Sequence, residues 1–250
     1  MVNARPVIIV TGGSRGIGAA TVRALAAGGY DVALGDRQDA DAARQVAADA
    51  TAAGARCEAV AADVTREEDI ERLFEAAGRL GPVGGLVANA GLTDHIGDLA
   101  DTPVEIIRRV IDVNLVGAVL SARRAAQVMS TARGGRGGAI VHVSSAAATL
   151  GSAHEYVHYA AAKAGIEALT VGLAKELAAE GVRVNAVAPG IVDTEIHAAA
   201  GQPDRARNAA DRIPLGRAAR ADEITPAILW LLGPEAAYTT GAVIRVAGGL

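Results

Sequence analysis

The segment Val7-Ile8-Ile9-Val10-Thr11-Gly12-Gly13-Ser14-Arg15-Gly16-Ile17-Gly18 decides the fold. It carries a β-branched run into a glycine-rich turn, and then into the alanine-rich, helix-forming stretch Ala19–Ala27. A turn without Cβ atoms lets the backbone approach an anionic group, and the helix start directs free N–H groups and a partial positive charge at it. The glycine spacing is G-x-x-x-G-x-G. Between a strand and a helix it reads as a pyrophosphate-binding turn for a nucleotide cofactor. Gly12, Ser14, Arg15, Gly16, Ile17 and Gly18 are its candidate contacts.

The same alternation of short apolar runs and alanine-rich helical stretches continues to the end of the chain. It predicts an α/β fold, a single doubly wound Rossmann-type domain over residues 1–250 with a seven-stranded parallel sheet. The expected strands are Val7–Val10, Asp31–Gly35, Arg56–Val60, Gly85–Ala88, Ala139–Ser144, Arg183–Ala188 and Val243–Ala247. Their apolar character lacks strict alternation, as strands covered by helices on both faces require, and parallel crossovers are right-handed. Nothing resembles an interdomain linker. The basic, glycine-rich Arg133–Gly138 reads as an exposed turn rather than a nucleic-acid contact. The charged stretch Gly201–Arg220, together with the residues from Thr194, reads as a substrate lid over 194–220.

Composition narrows the partners. The chain is 51% hydrophobic but only 2% aromatic, with 30 glycines and a formal net charge of −4. That balance speaks against attraction to nucleic acid or an anionic membrane and for a small-molecule partner. A lone cysteine, Cys57, excludes an intramolecular disulfide and fits a reducing compartment. Without a secretory-type apolar leader or a long apolar span, the expected location is cytoplasmic.

Further candidates fall at the carboxyl ends of the strands, where open α/β sheets bind ligands. Asp36 ends the second strand, where a carboxylate grips the adenosine ribose of NAD and repels a 2′-phosphate. Arg15 and Arg37 pull the other way, since each can pair with the phosphate of NADP. NAD is therefore favoured and NADP stays open. Asp63-Val64 follows the third strand and Asn89-Ala90-Gly91 the fourth, placing Asp63 near an adenine and Asn89 and Gly91 on the cofactor floor. Asp63 as a helix cap and Asn89 as a turn former are equally consistent with the residues.

Tyr159 and Lys163 lie one helical turn apart in a chain with four tyrosines and only two lysines. One face of a helix then carries both side chains, and a cation beside a phenol favours the phenolate. Ser144-Ser145 closes the fifth strand ahead of them, and the pleat turns neighbouring residues to opposite faces, so only one is expected to face a pocket. Asn114 lies within a helix, where a polar residue can free a backbone carbonyl for a water; an ordinary surface position is the other reading. His95, His154, His158 and His197, with Glu155 and Glu195, read as pocket-wall or surface residues without metal spacing.

In this order, Thr11-Gly12 to Gly18, Asp63, Asn89-Ala90-Gly91, Asn114, Ser145, Tyr159 with Lys163, and Pro189-Gly190 with Thr194, the chain resembles the short-chain dehydrogenase/reductase family over essentially its whole length. A glucose-dehydrogenase-like or 3-oxoacyl-reductase-like subgroup fits. The resemblance implies an NAD(P)-dependent oxidoreductase acting on a small alcohol or carbonyl compound. It makes Tyr159 the general acid/base, Ser145 the group that orients the substrate oxygen, Lys163 the holder of the nicotinamide ribose and Asn114 the anchor of a water relay. Pro189, Gly190, Ile191, Val192 and Thr194 would position the nicotinamide. It selects Ser145 over Ser144, and implies a homotetramer with the helices of Asn114 and Lys163 between subunits. A nucleotide-binding redox sensor without turnover and a structural subunit are the competing readings.

Overall fold

The computed structural model describes residues 5–250, apart from the side chains of His197 and Ala199. Strand β1 (Val7–Thr11) leads into α1 (Gly16–Ala27), and the alternation continues through β2 (Asp31–Asp36), α2 (Ala40–Ala52), β3 (Cys57–Ala61), α3 (Glu67–Leu80) and β4 (Val83–Ala88). Helices α4 (Val104–Ile111) and α5 (Gly117–Met129) precede β5 (Gly138–Val143). The short α6 (Ala147–Leu150) and long α7 (Val157–Leu177) lead to β6 (Val182–Pro189). The remaining elements are β7 (Val192–Asp193), α8 (Ile196–Ala199), α9 (Arg205–Asn208), β8 (Ala219–Arg220), α10 (Thr225–Leu232) and β9 (Val243–Val246).

The seven expected strands form one parallel sheet, and the structure gives its order as β3-β2-β1-β4-β5-β6-β9. The pleat distributes alternate side chains of each strand between two cores. Ile8, Val10, Val32, Leu34, Val141 and Val187 pack with Val22 and Leu25 of α1 and Ile228 and Leu231 of α10. Val7, Ile9, Ala33, Ile140 and Val184 pack on the other face with Leu73 and Phe74 of α3, Met129 of α5 and Leu177 of α7. Both faces are covered, which is why the strands read as continuous apolar runs. Among the described residues, no helix is long and apolar enough to cross a membrane.

Chain order reverses direction between β1 and β4, because β2 and β3 build outward on one side and β4 onward on the other. A crevice opens at that reversal. Several boundaries differ from expectation. Helix α1 begins at Gly16, so the glycine turn runs directly into the helix. β7 and β8 pair in parallel as a separate two-stranded sheet that brackets residues 194–218, a pairing that strand periodicity does not reveal. Residues 134–137 form the turn between a 3-10 helix ending at Arg133 and β5, fastened by Gly137 N–H to the Met129 carbonyl at 2.8 Å.

Candidate active site

The crevice is a cavity of about 290 Å³. Its floor starts at the β1 turn. Gly12 has φ +63°, and a Cβ there would lie 2.9 Å from the Ala90 Cα. A Cβ on Gly18 would lie 2.0 Å from the Gly12 carbonyl oxygen, so only glycine lets α1 pack this closely on the turn. Asn89 ties the turn to β4: its Nδ2 donates to the Thr11 and Gly12 carbonyls at 3.0 and 2.9 Å. The backbone N–H groups of Asn89 and Ala90 donate in turn to the Thr11 hydroxyl. Asn89 is thus a strand-to-strand tie rather than a plain turn former.

At one end of the cavity, Asp36 Oδ1 accepts from the backbone N–H groups of Gln38 and Asp39 at 2.9 and 2.8 Å, and Oδ2 accepts from the Ser14 hydroxyl at 2.5 Å. The carboxylate is held firmly, with lone pairs to spare. Arg37 turns to Asp63 at 3.1 Å, and Arg15 reaches Gln38 at 3.3 Å. Burial raises the Asp63 carboxyl, but hydrogen bonds from Thr65 and Arg37 more than offset it and leave the pKa below its ordinary value.

At the other end, Ser145 follows β5 and stands close enough to Tyr159 to influence its titration. Its hydroxyl accepts from the Ala147 N–H at 3.1 Å, at the start of α6. Ser144 borders the cavity as well, contrary to the expectation that only one serine faces it. Its hydroxyl is nevertheless committed elsewhere, to Glu167 Oε1 at 3.0 Å and the Lys163 carbonyl at 3.3 Å. Tyr159 is 8% exposed and Lys163 3%. Lys163 Nζ donates to the Val143 carbonyl at 2.8 Å and lies 5.6 Å from the centre of the Tyr159 ring.

The electrostatics differ from the sequence expectation. Burial dominates Tyr159 and raises its pKa; the Ser145 hydroxyl pulls it down and Tyr156 pushes it up further, while Lys163 is not among the causes. Burial also lowers Lys163 to about 8. Desolvation of each buried group is the leading cause of both shifts.

Asn114 is fully buried and sits in a single π-helical turn, Asp112–Val116, between α4 and α5. Its side chain accepts from Leu92 N–H at 3.2 Å and donates to the Leu92 and Val110 carbonyls, both at 2.8 Å. The surface reading therefore fails: the amide pins the segment after β4 onto α4. A Cβ on Gly91 would come within 2.6 Å of Asn114 Oδ1, so that glycine makes room for the tie.

Gly12, Ser14, Arg15, Gly16, Ile17, Asp36, Arg37, Asp63, Val64, Asn89, Ala90, Gly91, Ser145, Tyr159, Lys163, Pro189, Gly190, Ile191, Val192 and Thr194 all line the one cavity. Two expected contacts do not: Gly18 packs behind the turn, and Asn114 acts from beneath Leu92. Gln38, Leu92, Arg109 and Val113 are wall residues that sequence reading missed. No local signal marks them, because their exposure depends on how α4 and the β2 exit cross the crevice. Among the expected pocket or surface residues, His154 pairs with Asp98 at 2.7 Å at the surface, His158 is buried, and Glu155 is bound by Arg205 and Arg212; the His197 side chain lies outside the described residues.

Comparison with known proteins agrees with this geometry. Residues 12–250 match the family model described as enoyl-(acyl carrier protein) reductase. The chain is 43% identical to the uncharacterized oxidoreductase YgfF of Escherichia coli (strain K12), covering 97% of this chain and 99% of that protein. Its structure resembles a short-chain type dehydrogenase/reductase from Mycobacterium marinum, with TM-score 0.91, 32% identity, and coverage of 98% of this chain and 94% of the other. It also resembles a 3-ketoacyl-(acyl-carrier-protein) reductase from Brucella melitensis complexed with NADH, with TM-score 0.89, 30% identity, and coverage of 98% and 97%. With its parallel seven-stranded sheet, its glycine turn and the Ser145–Tyr159–Lys163 group at its cavity, the chain belongs to the short-chain dehydrogenase/reductase family of oxidoreductases.

Proposed function

We propose that this protein is a nicotinamide-dependent oxidoreductase that interconverts a secondary alcohol and a ketone, with Tyr159 as general acid/base and NAD preferred over NADP. The observation that carries this reading is that Ser145, Tyr159 and Lys163 meet at one end of a cavity whose other end is the glycine turn and Asp36. The Brucella relative with NADH and a keto substrate in its name supports the same assignment.

When bound, the nicotinamide ring supplies or accepts the hydride. The residues do the rest. The Gly12–Ile17 turn holds the pyrophosphate, and Asp36, with spare lone pairs, takes the adenosine ribose hydroxyls. A 2′-phosphate there would meet the Asp36 charge, while Arg37 is already paired with Asp63. Asp63, Val64, Asn89, Ala90 and Gly91 border the adenosine and the cofactor floor. Pro189, Gly190, Ile191, Val192 and Thr194 position the nicotinamide. Lys163 retains two N–H donors beyond its bond to Val143, suited to the nicotinamide ribose.

In reduction, Ser145 hydrogen-bonds the carbonyl oxygen as negative charge grows on it, and Tyr159 Oη delivers the proton. Oxidation runs the same proton transfer in reverse. The raised Tyr159 pKa keeps the phenol protonated in the resting site, so its proton is in place for the reduction direction. Asn114 serves proton return through its backbone carbonyl, since its amide is committed to Leu92 and Val110. Residues 194–220 act as the substrate lid. Exposed Val116, Val119 and Val171 near or on α5 and α7 support a homotetramer, which light scattering would test.

The test mixes the purified protein with NAD or NADP and a panel of sugars, steroids and short hydroxy compounds while following reduced-nicotinamide absorbance. Turnover with NAD is expected. Tight cofactor binding without turnover of any alcohol or ketone contradicts the reading and favours the redox sensor, for which no present observation speaks.

A further inference from the structure

One buried side chain ties the lid segment to the wall of the active site. Arg205, from α9, is 8% exposed. Its Nη2 donates to Glu155 Oε2 at 2.6 Å and to the Tyr156 hydroxyl at 2.8 Å, and its guanidinium lies 5.1 Å from the centre of the Tyr156 ring. Arg212 reaches the other Glu155 oxygen at 3.4 Å. Tyr156 is buried, lines the cavity, and stands edge-on to Tyr159 with ring centres 5.2 Å apart at 83°. Lid arginine, wall tyrosine and proton-donor tyrosine therefore form one continuous set of contacts.

These contacts are directional. A buried guanidinium holds its partners in a fixed fork, which an ammonium cannot reproduce toward a carboxylate and a phenol at once. Removing one partner of a buried ion pair leaves the other charge unpaired in a low-dielectric site, so Arg205 and Glu155 hold together strongly once the lid is seated. With its hydroxyl bound by Arg205, Tyr156 keeps the ring orientation that presents its edge to Tyr159.

We propose that Arg205 is a positioning residue for the proton-transfer step: it seats the lid on Glu155 and holds Tyr156 edge-on against Tyr159, which fixes the direction of the Tyr159 hydroxyl toward Ser145. The proposal rests on the reading of Tyr159 as the proton donor. The polar groups around Tyr159 are Ser145 after β5 and Tyr156 and Lys163 on or beside α7; those around Tyr156 are Glu155, Arg205 and Arg212. Tyr156 is itself one of the influences that raise Tyr159, so loosening it alters the titration of the proton donor.

The test compares full-length wild type with Tyr156→Phe, Arg205→Met and Arg205→Lys by three measurements: amide exchange over residues 196–212, NAD affinity, and the pH profile of kcat. Tyr156→Phe keeps the ring and the Arg205–Glu155 pair, and is expected to lower kcat by roughly threefold to a hundredfold. Its Tyr159 limb shifts in pH, with KM and NAD affinity near wild type. Arg205→Met is expected to speed exchange over 196–212, raise KM and lower kcat by as much as Tyr156→Phe does. Arg205→Lys restores exchange protection through Glu155 but leaves the kcat loss, because the fork is gone. An unchanged kcat profile in Tyr156→Phe, or unchanged exchange in Arg205→Met while wild type turns over, overturns the positioning role alone. Absence of turnover by wild type on every alcohol and ketone overturns the proton-donor reading, and the positioning role with it.

Discussion

Lys163 stands over the ring of Tyr159, with Nζ 5.6 Å from the ring centre, and gives a hydrogen bond to the Val143 carbonyl. The pair shares one turn of α7, yet each is governed first by its own burial. Lys163 falls to about 8 from an ordinary value of 10.5. Between those values the unfolded chain binds a proton that the folded chain has released, so stability rises with pH across the window; below it the full cost, about 3 kcal/mol, is present.

Lys163→Met removes that dependence. Urea unfolding at pH 7.5 and 9.5 is expected to show wild type gaining about 2 kcal/mol relative to the variant over this interval. A parallel response of both proteins would show that Lys163 stays charged in the fold.

His142 on β5 makes the opposite end of the pH range informative. Thr170 Oγ donates to the Ile166 carbonyl at 2.8 Å and so accepts from His142 Nδ1, also at 2.8 Å, which assigns the tautomer. Nε2 is buried without a hydrogen-bond partner. Burial, helped by the Lys163 charge, lowers the ring pKa to about 4 from 6.5. The unfolded chain therefore binds the extra proton between pH 6.5 and 4, and stability is lost as pH falls through that window. In His142→Leu, chemical unfolding at pH 7.5 and 5 should show an acid-induced loss smaller by about 1–2 kcal/mol.

Asp36→Ala tests the ribose site. Removing the carboxylate frees the Ser14 hydroxyl and the Gln38 and Asp39 N–H groups, and ends the repulsion of a 2′-phosphate. The expected result is a shift of roughly tenfold or more in the NAD-to-NADP affinity ratio toward NADP, read by fluorescence titration. An unchanged ratio would place cofactor choice elsewhere.

Asn114→Leu leaves the Leu92 N–H and two carbonyls without their buried partner, with an expected stability loss of about 1–3 kcal/mol by denaturant titration. Activity should fall beyond what the fraction unfolded explains, because Leu92 lines the cavity.

What sequence conveyed was local. Apolar runs such as Val7–Val10, the glycine turn and the one-turn spacing of Tyr159 and Lys163 depend on neighbours in the chain, and they led to the sheet and to one shared cavity. Contacts across long separations were not legible. The π-turn around Asn114 arises where α4 meets Leu92, the two-residue strands β7 and β8 exist only because the chain from 194 to 218 folds back, and Arg205 meets Glu155 fifty residues away. The direction of the Tyr159 shift was misread for the same reason. Spacing revealed the neighbouring cation, but burial comes from the whole fold.

The central claim is that Tyr159 transfers the proton, and Tyr159→Phe measures it most directly. Single-turnover kinetics with NADH and a ketone substrate, alongside a cofactor titration, should show the rate reduced by roughly 10²- to 10⁴-fold with NADH affinity within about twofold of wild type. A variant that reduces the ketone at the wild-type rate would contradict the assignment.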